Sequence, residues 1–387
     1  MNNLTKLLPY WFLLFTIGFG WFIIAPMFPV LQKSMDVNSL HLLFTLISLY
    51  GYAMIVFGLA AGWISNKFNI KFLIYTAISL SVIGLVGRSF FTDSYFYFFL
   101  FQIIAATAYP MAMAPVGSMV DLISKDYKFS IIGISVGSMF LGSAFGALFG
   151  PVLSANLTFI GALQFAALIS IIAGIIAIPI VSKYPELKVK KSLKGTFKIG
   201  MLKNFWVGFS IPSMFTLISG VGAIMLVHFK FNFSAALKYA GILAGMAALG
   251  AAIGSMIIPS IFEKYKIVRK GIIAVALLSF ISAFLLIYLL GFDPSISLMI
   301  VFAFLFGFFG NTYWSLTISS MVNYVDDPSQ AGFATSMHAV ATNLGVAVIP
   351  VFLGAEFIIH TLTGFFLIIL IELITLILSP FIKLHKK

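Results

Sequence analysis

The chain has 387 residues, of which 61% are hydrophobic and only 9% charged, and its mean hydropathy is +1.11. Soluble domains carry charge on about a quarter of their residues, so this composition excludes an ordinary water-soluble protein. The net charge of +12 does not imply a nucleic-acid partner, because the basic residues stand between apolar runs and build no basic domain. Zero cysteines exclude disulfides, thiolate catalysis and Cys-ligated zinc or iron–sulfur clusters.

About twelve apolar runs are long enough to cross a hydrocarbon core about 30 Å thick at about 1.5 Å per helical residue. In chain order they cover 8–31, 39–64, 72–91, 95–120, 129–153, 157–182, 205–228, 236–262, 270–291, 295–321, 331–354 and 361–381. The runs lack the period-2 alternation of barrel strands, so the expected fold class is an all-α membrane protein. The first run is too long for the apolar region of a signal peptide and is expected to stay in the mature protein.

Between the sixth and seventh runs, Ser182 to Asn204 carries seven lysines. With the N-terminus in the cytoplasm, this stretch and the other loops on the same side hold 19 of the 23 lysines and arginines. Such a bias places both termini and the basic stretch inside. Its lysines read as topology determinants and contacts for anionic lipid.

The two halves repeat. The loop after the second run reads Gly62-Trp-Ile-Ser-Asn66-Lys67-Phe-Asn-Ile-Lys71, and the loop after the eighth reads Pro259-Ser-Ile-Phe-Glu263-Lys264-Tyr-Lys266. Asn66 and Glu263 stand 197 residues apart, and Pro151 and Pro350 stand 199 apart. Two parallel six-span repeats imply a substrate site at their interface, near the membrane midplane. The expected units are residues 1–181, a linker 182–204 and residues 205–387.

These segments resemble the major facilitator superfamily, over about residues 8 to 382. The first loop keeps that family's pattern at Gly62, Ile64, Lys67 and Lys71, with Asn66 in place of the usual acid and Asn69 in place of a glycine. The resemblance implies that this loop and its counterpart at Glu263 and Lys264 hold one gate, with Asp121 or the Asp326-Asp327 pair as acidic partners. Charge-determined topology accounts for Lys67 and Lys71 equally well.

In the fifth run, Gly137, Gly146, Gly150 and Pro151 resemble the signature of the family's antiporter branches. Glycines at that spacing bare a helix face, and the proline adds a bend, which suits close packing and a pivot. In the fourth run, Gln102 with Tyr109-Pro110 resembles a segment that carries an arginine three residues before the glutamine. Phe99 stands there instead, which favours uniport or a cyanate-transporter-like branch as much as drug efflux.

Ionisable groups inside the spans are few. His338 and Glu372 are candidate proton carriers, with a neutral, locally hydrogen-bonded side chain as the plain alternative for each. Arg88 is expected to snorkel to the interface or to pair with Asp93. The resemblance places runs one, four, seven and ten around a cavity. Helical spacing then nominates Gln102 and Tyr109, Ser213 and Thr216, and Asn311, Trp314 and Ser315, with His338 and Asn343 contributed by the eleventh run.

No phosphate-binding loop, HExxH motif or nucleophilic triad occurs, so an enzyme is not expected and no cofactor or metal is implied. The leading reading is a twelve-helix secondary transporter in two pseudo-symmetric bundles. It would move a small organic solute across the cell membrane as a monomer, with proton-coupled exchange and facilitative uniport both open. A non-transporting receptor or sensor on the same fold is the alternative from another class.

Overall fold

The computed structural model describes residues 3–37, 40–123, 127–186 and 192–384. Among these residues every regular element is helical: α1 (Leu8–Phe22), α2 (Phe28–Met35), α3 (Leu40–Lys67), α4 (Ile70–Phe90), α5 (Tyr95–Met113), α6 (Val116–Ile123), α7 (Lys128–Val181), α8 (Leu202–His228), α9 (Phe233–Lys264), α10 (Val268–Phe292), α11 (Ile296–Met321), α12 (Pro328–Ile359) and α13 (Thr361–Leu378). Helices satisfy their backbone polar groups internally, which lipid requires of any spanning segment.

Nine of these helices are long and apolar enough to cross a membrane, or ten if the bent pair Ile199–Ile218 and Val221–His228 is one span. Two departures from simple spans bring the count close to the expected twelve. The first is α7, whose 54 residues would reach about 80 Å at about 1.5 Å per residue. It breaks at Thr158, where φ is 71° and ψ 166°, so two spans follow one another with a kink rather than the loop expected between 153 and 157. The second is α1, which ends after 15 residues. Pro26 and Pro29 lack the amide protons an unbroken helix needs, and the chain continues through a 3-10 turn at Ala25–Met27 into α2.

Helix pairings repeat between the halves. The pairing of α1 with α7 recurs as α8 with α12, and α4 with α5 recurs as α10 with α11. The halves meet along two related seams, α3 against α12 and α7 against α9. Glycine makes close packing possible within each half: a Cβ on Gly142 would lie 1.9 Å from the Phe15 carbonyl oxygen, and one on Gly345 would lie 2.0 Å from that of Phe209. Large apolar side chains such as Val56, Ile175, Phe352 and Ile359 remain exposed, as expected of a surface that faces lipid.

Candidate functional site

A narrow cavity lies between the halves. Met54, Tyr109 and Met113 line it from the first half, and Trp314, Thr335 and Ala339 from the second. Tyr109 and Asn343, both expected at the cavity, meet across the seam within side-chain hydrogen-bonding reach. The Asn343 amide also donates to its own helix at Ala339 O, 2.9 Å away. Phe140 of α7 sets its edge against Trp314 at 5.8 Å and against Phe215 at 6.3 Å, so aromatic rings from both halves fill the centre.

Behind Trp314 a closed set of hydrogen bonds holds His338. Thr317 Oγ1 donates to Trp314 O at 2.7 Å, which leaves it to accept from His338 Nε2 at 3.1 Å. Trp314 Nε1 donates to Thr342 Oγ1 at 3.1 Å, and that hydroxyl stands 3.5 Å from His338 Nδ1. An imidazole with its proton on Nε2 satisfies Thr317 and leaves Nδ1 as an acceptor. His338 is fully buried and acts in this arrangement as the support of Trp314.

Several nominated residues are turned to other work. The Ser213 hydroxyl bonds back to Phe209 O and Ser210 O, and that of Thr216 to Pro212 O and Ser213 O. Ser315 bonds to Thr312 O. Asn311 is buried with neither side-chain amide atom partnered. Gln102 is fully buried and bonded to Leu46 and Arg88.

The placement of Arg88 corrects the sequence reading. It does not snorkel and does not pair with Asp93. It is fully buried, and its Nη1 donates to Gln102 Oε1 at 2.6 Å while Gln102 Nε2 donates to Leu46 O at 3.0 Å. Thus an arginine does sit beside Gln102, supplied by α4 rather than from position 99 of α5. Two glycines allow it, because side chains at Gly84 and Gly87 would collide with Ala105 and Phe101.

Glu372, on α13, is 1% exposed and its Oε1 has no hydrogen-bond partner. One turn on, Thr375 meets Ser210 Oγ at 2.8 Å, Trp206 Nε1 at 3.1 Å and, through its carbonyl, Tyr313 Oη at 3.0 Å. This face of α13 therefore packs on α8 and α11 within the second half.

At the lysine-rich end, polar contacts join the two halves. Glu263, at the end of α9, accepts from the Phe129 amide at 3.1 Å, the Ser130 amide at 3.0 Å and the Ser130 hydroxyl at 2.5 Å. A carboxylate thus caps the N-terminus of α7 across the seam, where both the free amides and the helix dipole favour negative charge. Lys128 donates to Asn323 Oδ1 at 2.6 Å across the same seam.

A Cβ at Gly137 would lie 2.4 Å from Met256 Cγ on this α7–α9 seam, and on the related α3–α12 seam one at Gly62 would lie 2.8 Å from Ser336 Oγ. Gly146 and Gly150 face α1 instead, where a Cβ would stand 2.6 Å from Phe19 O and 2.7 Å from Ile23 O, and Pro151 follows them within α7. Asn66 is buried. Lys67 lies over the rings of Trp63 and Phe68 at 4.7 and 5.4 Å, and Lys264 over that of Tyr265 at 5.6 Å. Lys71 pairs with Glu186 at 3.1 Å, an acid outside the nominated set. The Asp121 side chain lies outside the described residues.

Two helical bundles that share a central cavity and close on one another at one end define a polytopic membrane transport fold. The sequence matches the family model described as Major Facilitator Superfamily over residues 10–292. The chain belongs to the major facilitator superfamily, whose members are membrane transporters. Comparison with curated proteins by sequence gives no match.

Among solved structures, it is similar to the human organic anion transporter MFSD10, with a TM-score of 0.76 and 14% identity, covering 98% of this chain and 100% of that one. The transporter FucP in its outward conformation gives a TM-score of 0.74 at 14% identity over 97% and 99% of the two chains. The proton:xylose symporter XylE gives 0.72 at 12% identity over 97% and 94%.

The sequence reading missed the aromatic wall beside the cavity. Trp21 stacks on Tyr50 at 4.7 Å and 4°, lies 5.6 Å from Tyr109, and donates to Ile47 O at 2.8 Å. The signal available was a tryptophan and a tyrosine well inside two spans, where each polar tip must find a partner.

Proposed function

We propose that this protein is a secondary transporter that carries a small organic solute through the cell membrane by alternating access. Residues 1–181 and 205–387 are the rocking bundles, residues 182–204 the cytoplasmic connector, and a monomer the working unit. The observation that carries this reading is the seam. Both halves line the cavity, and at the lysine-rich end they are joined by Glu263, Ser130, Lys128 and Asn323, polar contacts of a kind that can break and re-form as the halves move.

The lining is aromatic and apolar with few polar groups, which suits a solute held by stacking and one or two hydrogen bonds. The solutes of two similar structures, an organic anion and xylose, are also small organic molecules. The proton is the coupling ion that the residues support best. Glu372 is its carrier, a buried carboxyl with an unpartnered oxygen, whereas the ring of His338 is engaged in holding Trp314.

The test is flux in proteoliposomes containing a pH-sensitive dye, with a panel of cyanate, amines, choline-like and hydrophobic compounds. Solute-dependent flux with a lumenal pH change supports the reading, and its sign separates symport from exchange. Flux without a pH change removes the proton, and no flux from folded protein for any compound contradicts transport.

A further inference from the structure

Arg88 carries a charge that no acid among the described residues neutralises. Arginine stays protonated in proteins, and a buried charge without a counter-charge is costly. Among the described residues no acid pairs with Arg88, and its only hydrogen bond there is the one Nη1 donates to the neutral amide oxygen of Gln102.

Gln102 is itself anchored on Leu46 O, so the plane of the guanidinium is held fixed. Nε and Nη2, both buried, have no partner. These two nitrogens form one edge of the guanidinium, and two parallel N–H donors on one edge are the arrangement that grips a carboxylate in bidentate fashion.

The position of this fork ties it to the cavity. Tyr50 lies close enough to Arg88 for direct electrostatic interaction and stacks on Trp21, which in turn contacts Tyr109 of the cavity wall. A flat ring sliding between Trp21 and Tyr109, with Tyr50 displaced, would bring an attached carboxylate to Arg88.

We propose that Arg88 is the anion subsite of the transported solute, and that the solute is a small carboxylate with a flat apolar body. This deepens the transporter reading and rests on it.

Full-length purified protein is titrated with benzoate and with its neutral isostere benzamide, following tryptophan fluorescence and the unfolding midpoint. The expected result is benzoate binding at least tenfold tighter than benzamide. Arg88→Gln should lose that preference, and Arg88→Lys should keep part of it, since lysine supplies the charge without the fork. If Arg88→Gln fails to fold, Arg88→Lys carries the test through its loss of preference relative to the native protein.

Equal affinity for acid and amide, binding of neither, or a benzoate preference unchanged in both variants overturns the subsite. Counterflow of labelled benzoate in proteoliposomes tells the two ideas apart. Selective binding without flux supports the subsite and contradicts transport, whereas flux indifferent to the charge of the compound contradicts the subsite and leaves transport standing.

Discussion

Glu263 reaches from the last turn of α9 to the first turn of α7 and accepts from both the amide and the hydroxyl of Ser130, at 3.0 and 2.5 Å. The related position in the first half is Asn66, which has no charge to offer. The carboxylate cap is therefore a feature of the α7–α9 seam, where Glu263 makes it. Replacing it by a neutral amide weakens a charge-assisted contact worth about 1.5–3 kcal/mol. Glu263→Gln should raise the accessibility of a cysteine placed at Met256, which packs against Gly137 of α7 across this seam, several-fold over the same cysteine in native background. Unchanged labelling would show that the cap does not hold the gate.

A second prediction concerns the contact of α1 with α7. A Cβ at Gly150 would stand 2.7 Å from the Ile23 carbonyl oxygen, which is backbone and cannot rotate away. Gly150→Leu should abolish flux and cost about 1–3 kcal/mol of stability through overpacking. Gly241→Ala is the control, because nothing lies within 4 Å of a Cβ there. Native flux in the leucine variant would refute the packing role.

Asn69 offers a stabilising change. It stands at φ 132° and ψ 154°, a region of backbone space almost reserved for glycine, where other residues carry strain of about 1–3 kcal/mol. Its side chain returns little, since the bond from the Lys71 amide is 3.4 Å long. Asn69→Gly should raise the unfolding midpoint by a few degrees. A lower midpoint in calorimetry would mean that the cap outweighs the strain.

Glu372→Gln separates proton coupling from packing. Glutamine keeps the size and hydrogen-bonding reach of the carboxyl but cannot release a proton. Solute counterflow should persist at native rate, while uphill flux driven by a proton gradient disappears. Gradient-driven flux retained in the glutamine variant would remove Glu372 from the coupling.

Much of this was legible in the sequence, and the reasons differ by feature. Long apolar runs must become helices in lipid, so the spans could be read directly, and the repeat followed from Pro151 and Pro350. Breaks inside runs were harder. The kink at Thr158 lies in unbroken apolar sequence, where periodicity has no gap to mark, and α1 ends at Phe22 because of prolines that the window of an apolar run averages away. The site was legible in part. Tyr109, Trp314 and Asn343 gather at the centre, but Ser213, Thr216 and Ser315 have hydroxyls that their own helices satisfy. That choice is made by rotamers and close neighbours, which spacing does not encode. Arg88 was misread for a related reason: its distance from the helix end suggests solvent, whereas Gly84 and Gly87 let α5 approach closely enough to enclose it.

The most direct test of alternating access uses the absence of native cysteine. Lys128 and Asn323 touch across the seam at 2.6 Å, so cysteines at both positions can be joined by a short, reducible thiol cross-linker in proteoliposomes that show solute flux. The account predicts that cross-linking stops flux, that reduction restores it, and that neither single-cysteine protein is affected. Full flux through the cross-linked protein would contradict the rocking of the two halves.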